Sequence, residues 1–348
     1  MLAELSPAYF AMVMATGIVA LASDLTGFAF LARPLLWLNV GFYLTLWMLT
    51  LGRIFLYPRH FVADLSDHGR GAGYFTTVAG TCILGSEFVI LTGAEELGVI
   101  LLGVGVALWV FLIYAVLTAF AIHSDKPSLG EGITGGWLVA TVSTQSVSIL
   151  SGTVASHFPG YEQVVLFFSL CMFLIGSVLY LIVITLIFYR FMFFSLKPEG
   201  FEPLYWINMG AAAITTLAGT ILCAESHGSR LLEPILPFIL GSTVLFWAFA
   251  TWWIPLLGAM EIWRHVIHRV KISYNPQYWS LVFPLGMYTT CTVYMAQAIG
   301  LNFLSIIPHY FIYVALVAWT ATLIGLIKSL LDSFLLKTGN RNYSVSQR

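Results

Sequence analysis

Ten stretches of this chain are long enough to cross a bilayer as a helix, carry almost no charge, and leave little sequence over for anything else. They run over about 6–24, 33–57, 70–92, 97–121, 134–156, 162–190, 203–224, 234–257, 276–299 and 306–331. A bilayer core needs about 20 apolar residues per helix, so a single all-α transmembrane domain spanning 1–348 is the expectation, with short loops and no soluble domain. Charged residues are only 9% of the 348, against roughly 25% in a soluble protein. Hydrophobic residues are 59%, more than a water-facing globule of this size can enclose. A net charge of -1 excludes a nucleic-acid binder, which needs a clustered basic face. The first span follows Glu4 and no Lys or Arg, so it does not read as a cleaved signal peptide.

Basic residues orient the chain. Thirteen of the 15 Lys and Arg fall after even-numbered spans, and only Arg33 and Arg230 lie on the other side. By the positive-inside rule both termini are expected in the cytoplasm, in a multi-pass cell (inner) membrane protein.

The odd-numbered spans repeat one another. Each opens with a pair headed by an aromatic residue: Tyr9 and Phe10, Tyr74 and Phe75, Trp137 and Leu138, Tyr205 and Trp206, Tyr278 and Trp279. Successive pairs are 65, 63, 68 and 73 residues apart, one helical hairpin each. Five hairpins of like orientation predict quasi-fivefold symmetry about an axis along the membrane normal. In thirteen-residue windows taken from these aromatics, Gly, Ala, Ser, Thr and Cys number 29, against 21 in central windows of the even spans. The even windows hold fourteen aromatics, while the odd ones hold only Phe283 and Tyr288 beyond their opening pairs. Small residues suit an inner ring and bulky ones an outer, lipid-facing ring. Five inner helices at ordinary spacing leave a hole on their axis, and so a central pore is expected.

Superposing the repeats puts Met14, Ala79, Val142, Gly210 and Phe283 five residues in. Eight residues in come Gly17, Cys82, Gln145, Ala213 and Gly286, and twelve in come Leu21, Ser86, Ile149, Leu217 and Thr290. The expected pore-lining set is Met14, Gly17, Ala79, Cys82, Val142, Gln145, Gly210, Ala213, Gly286 and Thr290. Phe283 is the aromatic of its row, and its ring is expected to close a narrow tube as a gate. Pro284 removes a backbone hydrogen bond beside it and is expected to kink the helix. Thr16, Thr81, Thr144, Thr215 and Thr289 offer hydroxyls that can face the lumen or bond their own backbone.

No Asp, Glu, Lys, Arg or His lies in the odd-span centres, whereas proton-driven carriers commonly keep such residues as relays. The expectation is passive permeation of an anion or neutral solute through an uncharged conduit. Glu87, Glu225 and His309 read as mouth or interface residues. His265 and His268, among Arg264, Arg269 and Lys271, read as a cytoplasmic anchor rather than a metal site. The four cysteines lie in apolar runs without metal-site spacing. Neither a cofactor, a metal nor an enzymatic constellation is expected.

The segments from Pro7 to Ile18 (PAYFAMVMATGI) and from Trp279 to Gly286 (WSLVFPLG), with five hairpins between them, resemble the tellurite-resistance/dicarboxylate transporter family. That family includes bacterial TehA proteins, the plant slow anion channels, fungal malate permeases and sulfite exporters. The resemblance covers essentially the whole chain. It implies a homotrimer in which each protomer has its own anion pore, lined by the odd helices and occluded by a phenylalanine at the position of Phe283. Tyr288 is the alternative if the register differs. It implies either a gated anion channel or a secondary transporter of C4-dicarboxylates, sulfite or tellurite-related anions.

Overall fold

The computed structural model describes residues 2–345, and no strand occurs among them. Ten helices of fifteen residues or more form five hairpins: α1 (Ala11–Leu25) with α2 (Ala29–Leu56), α3 (Phe75–Thr92) with α4 (Glu95–Ile122), α5 (Val139–Thr153) with α6 (Glu162–Phe193), α7 (Ile207–Ala224) with α8 (Leu236–Ile262), and α9 (Trp279–Ile299) with α10 (Ile306–Val345). A short amphipathic helix, Pro58–Ser66, follows α2. Eight of the ten are long and apolar enough to cross a membrane by length and composition. The other two, α5 and α9, belong to the inner layer. Their hydroxyl and amide residues, such as Ser143, Thr144, Gln145, Thr289 and Thr290, are enclosed by protein and so escape the penalty that lipid would impose.

The odd-numbered helices close into a ring. Each packs on the next, and α9 returns to α1. Each even-numbered helix lies outside its hairpin partner and leans on the inner helix of the following repeat, with α10 leaning on α1. The layers differ as the sequence predicts: 78–89% of the apolar window is buried in α1, α3 and α7, against 17–44% in the outer helices. The inner helices are enclosed on all sides and have no polar face to show.

The repeated aromatic pairs mark the start of the ring. Each inner helix is preceded by a tight 3-10 turn: Pro7–Phe10, Gly71–Tyr74, Gly135–Leu138, Pro203–Trp206 and Pro276–Tyr278. These five turns touch one another in a second closed ring, the entry rim. Proline at the first position of three of them has its fixed φ pre-set for the turn. Ser6, Thr134 and Asn275 cap three turns by accepting from the amides of Ala8, Gly136 and Gln277, which satisfies donors left free at a helix start. The rim is tight. Gly135 lies so close to the next repeat that a Cβ there would sit 2.2 Å from the Leu204 carbonyl oxygen.

Outer and inner layers are pinned by one device used five times. Tyr43 of α2 bonds Thr81 of α3 (3.0 Å), and the indole N–H of Trp109 in α4 donates to Thr144 of α5 (2.8 Å). Tyr180 of α6 donates to the Asn208 carbonyl of α7 (3.1 Å), Trp247 of α8 to Thr292 of α9 (3.0 Å), and Trp319 of α10 to Thr16 of α1 (3.1 Å). These five outer-helix aromatics therefore clamp the ring rather than face lipid. The lipid-facing bulk comes from others, such as Trp37, Phe55, Phe111 and Phe167.

At the rim, the end of an outer helix holds the opening aromatic of the next repeat. Arg53, at the end of α2, is buried between Asp64 (2.5 Å), the Ala3 carbonyl (3.1 Å) and the hydroxyl of Tyr74 (3.4 Å). Arg190, at the end of α6, donates to the Tyr205 hydroxyl and the Ile133 carbonyl. Phe120, near the end of α4, packs on Trp137 at 4.9 Å.

Candidate functional site

Two cavities lie at opposite ends of the ring, and all five repeats line both. The larger, about 300 Å³, opens at the entry rim. Its walls include Ser6 and Ala8 of the first repeat, Gly73 and Thr76 of the second, Thr134 and Val139 of the third, Leu204 of the fourth and Gln277 and Ser280 of the fifth. Its inward limit is the position two residues after each opening aromatic, at Thr76, Val139 and Ser280. At the other end a crevice of about 20 Å³ is walled by Leu21, Ser86, Ile149, Leu217 and Thr290, the complete row twelve residues in, with Leu25, Ile90, Ile221 and Tyr294 beyond it. Ten residues at 1.5 Å rise separate the two limits, about 15 Å of closed ring.

The row five residues in lies within that closed stretch. Met14, Ala79, Val142 and Phe283 are at most 3% exposed, and Gly210 is buried with them. Phe283 sits about three residues, or ~4.5 Å, below the floor of the entry cavity. Pro284 follows it within an uninterrupted α9. Room for its ring comes from α7, where a Cβ on Gly210 would lie 2.7 Å from Pro284 Cγ.

The row eight residues in does not face the axis as a set. Gln145 turns away from it: its Nε2 donates to the Phe173 carbonyl of α6 at 3.0 Å, and its amide fills the space over Gly176. Cys82 points at α4, with its sulfur 2.5 Å from where a Cβ on Gly105 would stand. Gly17 faces Asn39 of α2 and Glu87 of α3, and Gly286 faces Ile18 and Val19 of α1. Cys82, Gln145, Gly17 and Gly286 are thus corrected from lining residues to packing residues between helices. The reason is angular: three residues from the fifth position turn a helix by 300°, which leaves a side chain about 60° off the axis-facing line, whereas seven residues restore it to within about 20°. Ala213 is buried in the same row.

The threonines settle likewise. Thr81, Thr144, Thr215 and Thr289 donate to their own helix four residues back, and Thr16 receives Trp319. Tyr288 bonds Thr251 of α8 at 2.8 Å, so it is engaged with the outer layer. Glu87, read as a mouth or interface residue, is wholly enclosed between α1, α2 and α3 and so lies at an interface rather than a mouth. Glu225 is half-buried at the end of α7. His309 is exposed beside Leu25 and Thr26. His265 is held by the Val270 carbonyl (2.7 Å) and Glu261 (3.3 Å), and His268 packs on Trp263. No group of three metal-ligating side chains occurs among the described residues.

The electrostatics of the entry cavity were only partly visible in the sequence. Five helix N-termini converge on it, each equivalent to about half a positive charge. Arg70 lines it as well, 3.1 Å from Asp64 and 3.7 Å from Glu4. Burial and the neighbouring His123 push the His68 imidazole below its usual range, with Asp67 pulling it up and Lys126 adding the smallest downward push. His68 is therefore largely neutral near pH 7, and Arg70 is the cation of this mouth. We expect Arg70→Gln to lower anion flux several-fold at low ionic strength and less in high salt, where screening removes steering. Flux equal to the parent at both salt concentrations would show that Arg70 serves only Asp64.

Comparison with known proteins fits this architecture. A family model described as the voltage-dependent anion channel matches residues 4–327. The chain belongs to that family. Among its relatives, this anion-channel family member is 25% identical over 338 residues to an uncharacterised transporter of Methanocaldococcus jannaschii, covering 94% of this chain and 96% of the relative. It is 24% identical over 336 residues to a sulfite efflux pump of Trichophyton rubrum, covering 90% and 87%. An uncharacterised membrane protein of Mycobacterium tuberculosis is 38% identical over 152 residues, 44% of this chain and 77% of the relative. The chain is thus a multi-pass, all-helical membrane protein of an anion-transporting family.

Proposed function

We propose that this protein lets small anions pass down their electrochemical gradient along the axis of the inner ring, and that Phe283 closes the path at rest. The observation that carries this reading is the pair of cavities at opposite ends of one axis, each walled by the same five repeats and separated by a closed layer. Helix N-termini at the larger mouth favour negative charge, beside Arg70, which is shared with Asp64 and Glu4. The remaining lining, with Met14, Ala79, Val142, Gly210 and Thr290, offers no group that would hold an ion too tightly to leave. In this reading all ten long helices form one transmembrane domain of the cell membrane, with the entry rim and both termini cytoplasmic. Three copies assemble, each with its own path; a native mass measurement of the solubilised protein checks that number.

The test uses purified protein in liposomes under an imposed voltage, with chloride, nitrate and sulfite as permeants. Flux that follows the driving force and needs no proton or sodium gradient supports a channel. A secondary carrier is the second reading, favoured by the similarity to a sulfite efflux pump over nine-tenths of the chain. Flux that saturates with sulfite or malate and collapses with the ion gradient would establish the carrier in place of the channel. Equal permeation of cations would overturn both.

A further inference from the structure

We propose that Glu87 and Asn39 form a buried proton-binding site at the junction of α1, α2 and α3, occupied by one proton in the closed protein. Both side chains are 0% exposed. Asn39 Nδ2 donates to Glu87 Oε2 at 2.5 Å. The other two oxygens, Glu87 Oε1 and Asn39 Oδ1, are buried with no hydrogen-bond partner. A carboxylate and an amide can share only one hydrogen bond of this kind, because a carboxylate donates nothing. A neutral acid carries an O–H donor beside its acceptor, and with an amide it closes a ring of two hydrogen bonds. One proton on Glu87 therefore satisfies both orphaned oxygens at once. Exchanging the amide oxygen and nitrogen of Asn39 does not remove the need, since one oxygen would still face another.

The surroundings give an ionised carboxylate nothing else. A Cβ on Gly17 of α1 would lie 2.7 Å from Glu87 Oε2, 2.7 Å from Ile83 Cγ2 and 3.0 Å from Asn39 Nδ2, so Gly17 is the floor on which the pair rests. The titratable groups on the packed elements are Asp24 of α1, Arg33, Tyr43 and Arg53 of α2, Glu95, Glu96 and Tyr114 of α4, Tyr9 and Tyr74 of the entry turns, and Cys82 of α3 itself; α5 supplies none. Among the described residues none of these makes a hydrogen bond or ion pair with Glu87, whose partner is Asn39. A buried carboxylate with one amide donor and no cation is costly, and a proton is the ligand that removes the cost.

The site bears on permeation through its neighbour in sequence. Ser86 lines the crevice at the far mouth, so the short route from Glu87 to water leads there. Loss of the proton would drive water or a shift of α3 into the junction and change the closed layer. The proton site stands without the permeation reading; its link to flux rests on it.

Infrared difference spectra of the parent against Glu87→Gln test the site. We expect a protonated-carboxyl C=O band in the parent at neutral pH that the variant lacks. Gln closes the same two-bond ring with Asn39, so the variant is expected to assemble with parent-like thermal stability. Absence of the band, or an unstable Glu87→Gln, would overturn the proposal. The second arm compares the pH dependence of flux. Raising the pH should change parent flux several-fold and leave Glu87→Gln flat after subtraction of the His68 contribution, which is common to both. A retained band with identical pH profiles would leave the proton site in place and overturn its coupling to permeation.

Discussion

Phe283→Ala raises anion flux by roughly ten-fold or more under a fixed voltage, a barrier change of about 1.4 kcal/mol. The side chain lies in the closed stretch between the two cavities, in a row whose other members are Met14, Ala79, Val142 and Gly210. Removing the ring leaves that row with no aromatic and, in the proposed reading, widens the path between the entry cavity and the far crevice. The substitution also carries a stability cost of about 3–5 kcal/mol if the emptied space stays dry, so thermal unfolding in detergent is measured beside flux. Phe283→Leu is the control for folding, with a smaller cost and intermediate flux. An assembled Phe283→Ala protein that conducts no more than the parent removes the gate assignment, whatever else permeates.

Gly135→Ala gives the second large effect, and on assembly rather than flux. The added Cβ would stand 2.2 Å from Leu204 O, 2.7 Å from Leu204 C and 2.8 Å from Tyr205 Cα. All three are backbone atoms of the next entry turn, so no rotamer change relieves the clash and the third and fourth repeats must part at the rim. Overpacking of this kind costs about 1–3 kcal/mol and sometimes more. The expected result is a clear fall in melting temperature in detergent, followed by tryptophan fluorescence. Gly103→Ala on α4, where nothing lies within 4 Å of the new Cβ, should leave stability level or slightly raised, as Ala is the better helix former. If the two variants melt together, contact at the rim does not hold the ring.

Much of this architecture is written in the sequence, because membrane helices announce themselves by composition and repeats by spacing. The opening aromatics led directly to the five entry turns, and the row from Leu21 to Thr290 walls one cavity complete. What stayed hidden is rotation about each helix axis. Gln145 and Cys82 share a depth with lining residues, yet both turn outward, and only the 60° offset in the helical arithmetic signals it. The outer aromatics Tyr43, Trp109, Tyr180, Trp247 and Trp319 look like any lipid-facing bulk until each is seen to donate to or bond with the next inner helix. For Glu87 the sequence leaves mouth and interface open, and burial between three helices decides for the interface. Asn39, the one amide in the middle of outer helix α2, is the signal that points to a buried polar partner. Arg70 was counted for orientation, and its place in the entry cavity depends on loop geometry that spacing does not encode.

The contact between Trp319 and Thr16 spans 303 positions, and with the meeting of α9 and α1 it means that α1 is covered on this flank only by the fifth hairpin. Until the fifth hairpin inserts, α1 presents a bare flank to lipid and the barrel is an open C. Closure of the ring must therefore wait for α9 and α10, and the edge of α1 stays unpartnered through nearly all of the chain's assembly.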